Sequence, residues 1–335
     1  MRIALDTMGG DKAPYAMVEG AVLATQKMDI KVVLVGNEKP INKELSRHRY
    51  DLKKVEVCNA TEIIEMHEPA AMSVRKKRDS SINVMVQLAK KNMVDAIISA
   101  GNTGAVVCSA TLGLRMLEGI ERPGIAIILP TLQGPCMLID AGANIVPKPT
   151  HLLQYGIMGD LYLKEILKIN SPRIGLLNVG EEECKGTTFI KDTYKLLENS
   201  ELNFSGNVEG RDIFSGNYEC IICDGFVGNV VLKISESLAE AIEILLRRHM
   251  RKGIMTTMGA LLSRSALAAL KKEVDYSEYG GAPLLGIDGC CIISHGRSSP
   301  KAIFNAIRVA KEYAYQNVNK HIVEVMKKMA VKQDT

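Results

Sequence analysis

Tryptophan is absent from this chain and aromatic residues make up only 4% of it, which leaves few flat surfaces on which nucleic-acid bases stack. Charge of one sign is scarce too. The 42 Lys and Arg face 38 Asp and Glu, and a net +4 is too weak a field to argue for a nucleic-acid partner. No apolar run is long enough for a membrane-spanning helix, because the best stretch, residues 124–139, is broken by Pro130, Gln133 and Pro135. The start, Met1-Arg2-Ile3-Ala4-Leu5-Asp6, leads from an apolar strand into a glycine loop and matches neither a secretory nor a transit peptide. The expected location is the cytoplasm. There is no H-E-x-x-H and no carboxylate-rich calcium loop, so no metal is expected. No G-x-G-x-x-G opens the first helix, and Lys185 stands before Gly186 where a P-loop needs Gly-Lys-Ser/Thr, so no cofactor is expected either. Eight cysteines read as reduced thiols. The C-x-x-C of Cys220 and Cys223 lacks the second pair of a zinc site, and like Cys290-Cys291 it lies in an apolar run, as small buried side chains do.

What is present is a globular composition, 47% hydrophobic and 24% charged. Short apolar runs read as strands at Ile3–Leu5, Lys31–Val35, Val55–Val57, Ala96–Ser99, Ile125–Leu129, Met137–Ile139, Ile174–Leu177, Ile221–Ile222 and Ile292–Ile293, with helical patterns between them. Strands that are apolar on both faces, alternating with helices, predict an α/β protein: a doubly wound, mostly parallel sheet in three α/β/α layers. The six residues Pro130 to Pro135 are too few for a helical crossover, so the runs on either side of them form a local antiparallel pair. Without a linker or repeat, residues 1–335 are expected to form a single catalytic domain. Within it, residues 235–272 read as a protruding two-helix arm with an apolar tip, Leu238, Ala241, Ile242 and Leu245 sharing one face before Gly253.

The turns after these runs share a composition. They are Asp6-Thr-Met-Gly9-Gly10-Asp11, Gly101-Asn102-Thr103-Gly104, Asp140-Ala-Gly-Ala-Asn144, Asn178 to Gly186, Asp224-Gly225-Phe-Val-Gly228-Asn229, and His295-Gly296-Arg297-Ser298-Ser299. Glycine allows close backbone approach, Asn and Asp offer hydrogen bonds, and a helix starting at once points free N–H groups outward. Each turn alone reads equally well as ordinary turn and capping chemistry. Together, at the carboxyl ends of strands, they predict one pocket for a tetrahedral anion at one edge of the sheet.

In order along the chain, the same segments resemble the signatures of the PlsX family of phosphate acyltransferases. They are DTMGGD from Asp6, SAGNTGA from Ser99, DAGAN from Asp140, HLLQYGIMG from His151, GLLNVGEEECKG from Gly175, GNVEGRDI from Gly206, CDGFVGNVVLK from Cys223 and YGGAPLLGIDGCCIISHGRSS from Tyr279. Thr7, where the family commonly has Ala, and Ala141, where a branched residue is more usual, depart from the pattern without removing a polar group. The resemblance implies an isocitrate dehydrogenase-like fold, a homodimer, and transfer of a long-chain acyl group from acyl carrier protein to inorganic phosphate for phospholipid synthesis. It also implies that Lys185-Gly186, and Gly228-Asn229 with Lys233, occupy positions that line the site in phosphate acetyltransferases. A short-chain phosphotransacylase using acyl-CoA, a dinucleotide-dependent dehydrogenase and a non-catalytic lipid-synthesis scaffold are the competing readings.

Phosphate is a competent nucleophile and a thiolate a fair leaving group, so the reaction needs positioning and charge stabilisation above all. On that reading Lys185 holds phosphate, or is a solvated loop lysine beside Glu181–Glu183. Asn229 and the N–H groups near Gly228 form an oxyanion pocket supported by Asn102 and Asn144, or these residues cap helices. Lys233 follows one turn later, Asp6 and Asp224 orient, and Gly9, Gly10, Asp11, Thr103 and Gly186 complete the rim. His151 and His295 are either catalytic contacts or structural residues. Arg75-Lys76-Lys77-Arg78 reads as a solvated run or as a docking site for the acidic carrier protein. The tip residues Ile254, Met258, Leu261 and Leu262, flanked by Arg247, Arg248, Arg251, Lys252, Lys271 and Lys272, either pack in the dimer or touch an anionic bilayer beside a membrane glycerol-3-phosphate acyltransferase. Peripheral membrane association is expected on the second reading.

Overall fold

The computed structural model describes residues 1–273 and 279–333, with positions 254, 271–273 and 330–333 described through their backbone alone. Among the described residues, strands β1 (Arg2–Asp6), β2 (Lys31–Gly36), β3 (Val55–Asn59), β4 (Ala96–Ser99), β5 (Gly124–Thr131), β6 (Gly134–Ile139), β7 (Ile174–Leu177), β8 (Phe204–Val208), β9 (Cys220–Ile222), β10 (Ala282–Leu285) and β11 (Cys291–Ile293) form one sheet. Its order is β3-β2-β1-β4-β11-β10-β5-β6-β9-β7-β8.

Every run read as a strand is one, and β5 and β6 form the expected antiparallel pair, with Ala126 opposite Ile139 and Thr131 opposite Gly134. Two strands escape the sequence reading. β8 lies at an edge and carries Ser205, Gly206 and Asn207, while β10 contains Pro283, which argues against a strand by pattern alone.

The sheet is mostly parallel, but its strands do not all point one way. β3, β2, β1, β4 and β11 are mutually parallel, as are β6, β9, β7 and β8. Between the two blocks, β10 is antiparallel to β11 and to β5, and β5 is antiparallel to β6. Three reversals leave the blocks running in opposite senses. The expectation that all the glycine turns lie at one edge is therefore corrected: they belong to two blocks of opposite sense.

Burial on both faces explains the unbroken apolar runs. Ile3 and Leu5 face one core cluster and the intervening Ala4 the other, all without solvent contact. Helices α1 (Tyr15–Lys27), α6 (Pro149–Glu165) and α11 (Pro300–Tyr315) cover the first face, whereas α3 (Ala70–Lys76), α4 (Ser81–Lys90) and α5 (Thr103–Leu114) cover the second. Each fully buried Ile or Leu among them contributes about 1.5–3 kcal/mol. Gly20 lets α1 and α11 approach, because a β-carbon there would stand 2.6 Å from Cβ of Ile303.

Residues 225–273 form α8 (Gly225–Met250), α9 (Ile254–Leu262) and α10 (Arg264–Glu273), with breaks near Gly253 and Ser263. The face carrying Leu238, Ile242 and Leu245 is open to solvent, these residues being 58%, 56% and 48% exposed. Cys220, Cys223, Cys290 and Cys291 are buried in β9, β11 and the turns beside them, and burial drives their thiol pKa values up, to about 12 for Cys291. At neutral pH they behave as small hydrophobic side chains.

Candidate active site

In the first block, Asp6 ends β1 inside the protein. Its Oδ1 accepts from the backbone N–H groups of Met8 (3.0 Å) and Gly9 (3.1 Å), and its Oδ2 from the Ser99 hydroxyl (2.7 Å). Gly9 is pressed onto the β4 turn, since a β-carbon on it would lie 2.6 Å from the Gly101 nitrogen. Gly10 has φ +94°, and Asp11 donates its N–H to the Gly296 carbonyl (2.8 Å), tying the β1 and β11 turns together. The extra hydroxyl of Thr7 donates to the Val35 carbonyl and is satisfied.

Asn102 caps α5 by accepting from Ala105 N–H (3.0 Å), and its amide nitrogen lies 3.1 Å from each of three backbone carbonyls, those of Glu65, Met66 and Glu68. Both ends of this side chain are engaged within the protein. Asn102 therefore clasps the loop before α3, and the next residues, Thr103 and Gly104, are the ones that reach the cavity described below.

In the second block, Asp140 is fully buried after β6 and gathers four backbone donors. Oδ1 accepts from Ile125, Gly142 and Ala143, and Oδ2 from Asn144 at 2.7 Å. Burial raises its pKa, opposed by these four hydrogen bonds. Asn144 turns inward, its amide 3.5 Å from both His151 Nδ1 and the Tyr155 hydroxyl. His151 accepts from Lys148 N–H at Nδ1 (3.0 Å), which leaves the proton on Nε2, 3.0 Å from Glu121. Asn144 and His151 thus shape the 140–148 turn from behind.

Asp224 caps α8, accepting from Phe226 and Val227 N–H (2.9 Å each). Gly225 donates to the Asn144 carbonyl, and Gly228 lies against the Asp140 backbone, so α8 starts hard against the β6 turn. That contact sets Asn229 beside Gly142, whose β-carbon position would be 3.5 Å from Cβ of Asn229.

Where the blocks meet there is a cavity of about 440 Å³. Ile125, Ile127, Leu129, Leu232 and Ile293 give it an apolar wall. Thr103, Asn229, Lys233, Glu236, Ser294, His295 and Ser298 give it a polar rim. Lys233 Nζ donates to Glu236 Oε2 (2.9 Å), and His295 Nε2 stands 3.5 Å from the same oxygen. Arg297 N–H donates to His295 Nδ1 (3.1 Å), so the ring proton faces Glu236. Burial alone would raise the Glu236 carboxyl, but His295 and Lys233 outweigh it and hold its pKa below the ordinary value. Glu236 was not singled out in the sequence, although its position three residues after Lys233 on one helix was a usable signal. Ser294, which ends a strand like any other serine, gave none.

Lys185 lies on the turn after β7, next to the β9 turn in the second block and outside the cavity wall. Its side chain is exposed, with the stem over Gly180. Gly186 adopts φ +82° against Asn178, whose amide donates to the Lys185 carbonyl (3.3 Å).

Away from the cavity, Arg75, Arg78 and Lys90 line a groove of about 640 Å³ between α3, α4 and α5, with Val74 and Val86 beneath, an exposed Leu112 beside them and no carboxylate in its lining. Lys76 is exposed. The Lys77 ammonium donates to Glu68 and the Ile63 carbonyl and braces α3. On α9, Met258, Leu261 and Leu262 are 56%, 70% and 84% exposed. The side chains of Ile254, Lys271 and Lys272 lie outside the described residues.

An open α/β sheet with helices on both faces is a fold shared with solved phosphotransacetylases. The EutD phosphotransacetylase of Staphylococcus aureus superposes with a TM-score of 0.61 over 94% of both chains at 13% identity. A phosphotransacetylase of Streptococcus pyogenes gives 0.60 over 95% of this chain and 94% of its own at 16% identity. At these identities the likeness shows the fold. The family model "Fatty acid synthesis protein" matches residues 1–321. Phosphate acyltransferase of Geotalea daltonii is 48% identical over 324 residues, covering 97% of this chain and 94% of its own, and that of Dictyoglomus turgidum is 48% identical over 336 residues, covering all of both. The chain belongs to this family, the PlsX phosphate acyltransferases of fatty acid and phospholipid synthesis, and is an acyltransferase enzyme. The dehydrogenase and scaffold readings fall with that membership.

Proposed function

We propose that the chain transfers a long-chain acyl group from acyl carrier protein to inorganic phosphate, giving acyl phosphate and free carrier. The observation that carries this reading is the cavity itself, where an apolar wall for an acyl chain adjoins a rim of Asn229, Lys233, Ser298 and Thr103 suited to an oxyanion. A phosphate oxygen attacks the thioester carbonyl carbon, and the carbonyl pair moves onto oxygen. Collapse of the tetrahedral intermediate breaks the C–S bond, and the carrier leaves as a thiolate that takes a proton from solvent. Asn229 donates to the intermediate. Lys233 and, from the β7 turn, Lys185 neutralise phosphate, while Asp6, Asp140 and Asp224 hold the turns in place.

The Arg75, Arg78 and Lys90 groove has the charge to receive the acidic carrier, whose acyl group then enters past the start of α5. The open apolar face of α8 suits a homodimer. The exposed apolar residues of α9 suit peripheral contact with an anionic bilayer on the cytoplasmic side, where a membrane glycerol-3-phosphate acyltransferase consumes the lipophilic product. Phosphate-dependent release of free carrier from long-chain acyl carrier protein tests the reading. Activity with short-chain acyl-CoA and none with the carrier substrate would replace it.

A further inference from the structure

The turn that carries Lys185 has little packing to hold it. Residues 181–185 are all exposed and form neither helix nor strand, and Val179 just before them is 82% exposed. Apolar burial therefore does little to fix this turn, and its place rests on hydrogen bonds. Two asparagines on neighbouring strands supply them. Asn178, just after β7, donates its amide to the Lys185 carbonyl (3.3 Å). Asn207, within β8 and in register with Leu176 of β7, is only 4% exposed, and its amide nitrogen stands 3.2 Å from the Glu182 carbonyl and 3.5 Å from that of Glu181. Lys185 donates its own N–H to the same Glu182 carbonyl (3.0 Å).

The buried amide outweighs the side-chain ties of this turn. Arg211 reaches the Glu181 carboxylate at 3.5 Å, but these side chains are 71% and 64% exposed, and an ion pair in solvent is weak. Tyr194 donates its hydroxyl to Glu183 (3.2 Å), again among groups open to water. Asn207 Oδ1, by contrast, is buried with no partner among the described residues. Its other end faces two carbonyl oxygens and must be the NH₂, so the amide cannot be turned over to satisfy the oxygen. An apolar residue of that shape would leave no buried acceptor unpaired, so what Asn207 adds to the protein is its donor.

Building on the role proposed for Lys185, we infer that Asn207 is a positioning residue for acyl transfer: through the Glu182 carbonyl it fixes the turn of residues 181–185, and so the point from which the Lys185 side chain reaches phosphate. Asn207 touches no substrate and transfers no proton. Without it the turn must first be ordered before Lys185 meets the anion, which places the effect in phosphate binding and leaves carrier binding alone.

The test uses the full-length protein with long-chain acyl carrier protein and phosphate. Asn207→Leu keeps the approximate shape and removes the donor. It is expected to raise the KM for phosphate about three- to tenfold, the size of one lost hydrogen bond, with the KM for the carrier unchanged. Its melting midpoint is expected close to that of wild type, because the Glu182 carbonyl keeps the Lys185 N–H. In a Lys185→Ala background the same substitution is expected to add nothing to the KM for phosphate, a coupling that a merely structural role would not produce. An unchanged KM for phosphate in Asn207→Leu, or an equal rise with and without the Lys185 side chain, would overturn the inference. So would loss of folded protein in both Asn207→Leu and the smaller Asn207→Ala, which would assign the amide to the fold itself. A wild-type chain that released no carrier, or a Lys185→Ala variant with the wild-type KM for phosphate, would sink the proposed function instead, and those two controls tell the failures apart.

Discussion

Gly228 lies so close to the main chain of Asp140 that a β-carbon on it would stand 1.9 Å from the Asp140 carbonyl oxygen. Backbone, unlike the end of a flexible side chain, cannot step aside cheaply. Gly228→Ala is therefore expected to push the first turn of α8 off the β6 turn, carrying Asn229 away from Gly142. Overpacking of this kind costs about 1–3 kcal/mol. Urea unfolding is expected to show that loss, and turnover to fall further than stability alone explains. An alanine variant with wild-type stability and turnover would contradict the close contact.

Glu236 gives a pH dependence with a definite sign. Its folded pKa lies below the ordinary 4.5, so its stabilising contribution is full above about 4.5 and fades as pH falls through the folded value. Glu236→Gln removes that contribution. The stability difference between wild type and Glu236→Gln is expected to be present at pH 7 and to shrink below about pH 4.5, as measured by urea unfolding across that range. A difference that stays constant down to pH 3 would show that the carboxylate is not held by Lys233 and His295.

On the proposed reading, the basic groove separates carrier recognition from chemistry. Reversing Arg75 and Arg78 to Glu is expected to raise the KM for acyl carrier protein about tenfold or more while leaving the KM for phosphate unchanged. The wild-type KM for the carrier is expected to rise with salt, and that of the variant to rise less. An unchanged KM for the carrier would remove the groove as its docking site.

The α9 residues make a separate expectation. If Leu261 and Leu262 enter lipid, the pair Leu261→Asp and Leu262→Asp loses sedimentation with anionic vesicles and keeps turnover in solution. Vesicle binding equal to wild type would assign this surface to contacts between protein chains.

The sequence was most legible where burial left no choice. Ile3 to Leu5 has both faces covered, so the run is apolar without interruption and reads directly as a strand. Phe204–Val208 hides because an edge strand tolerates Ser205 and Gly206, and Ala282–Leu285 hides behind Pro283. The opposite senses of the two parallel blocks were out of reach, since a side-chain pattern of period two carries no strand direction. The turn chemistry was visible, but the direction of each side chain was not. Asn102, Asn144 and His151 have the composition of a site, yet their polar atoms meet backbone carbonyls, Tyr155 and Glu121 within the protein. Conversely, Ser294 gives no signal in the sequence, because its distinction is a buried hydroxyl without a partner among the described residues, which only the packed structure reveals.

The proposed function rests on Asn229, in the cavity rim, and Lys185, on the neighbouring β7 turn, acting on one transferring phosphate. The most direct measurement is phosphate-dependent release of free carrier from long-chain acyl carrier protein by wild type, Asn229→Ala and Lys185→Ala. The expected result is steady release by wild type, kcat lowered about 10²–10³-fold in Asn229→Ala, and a raised KM for phosphate in Lys185→Ala. Wild-type turnover at normal rates in both variants would contradict it.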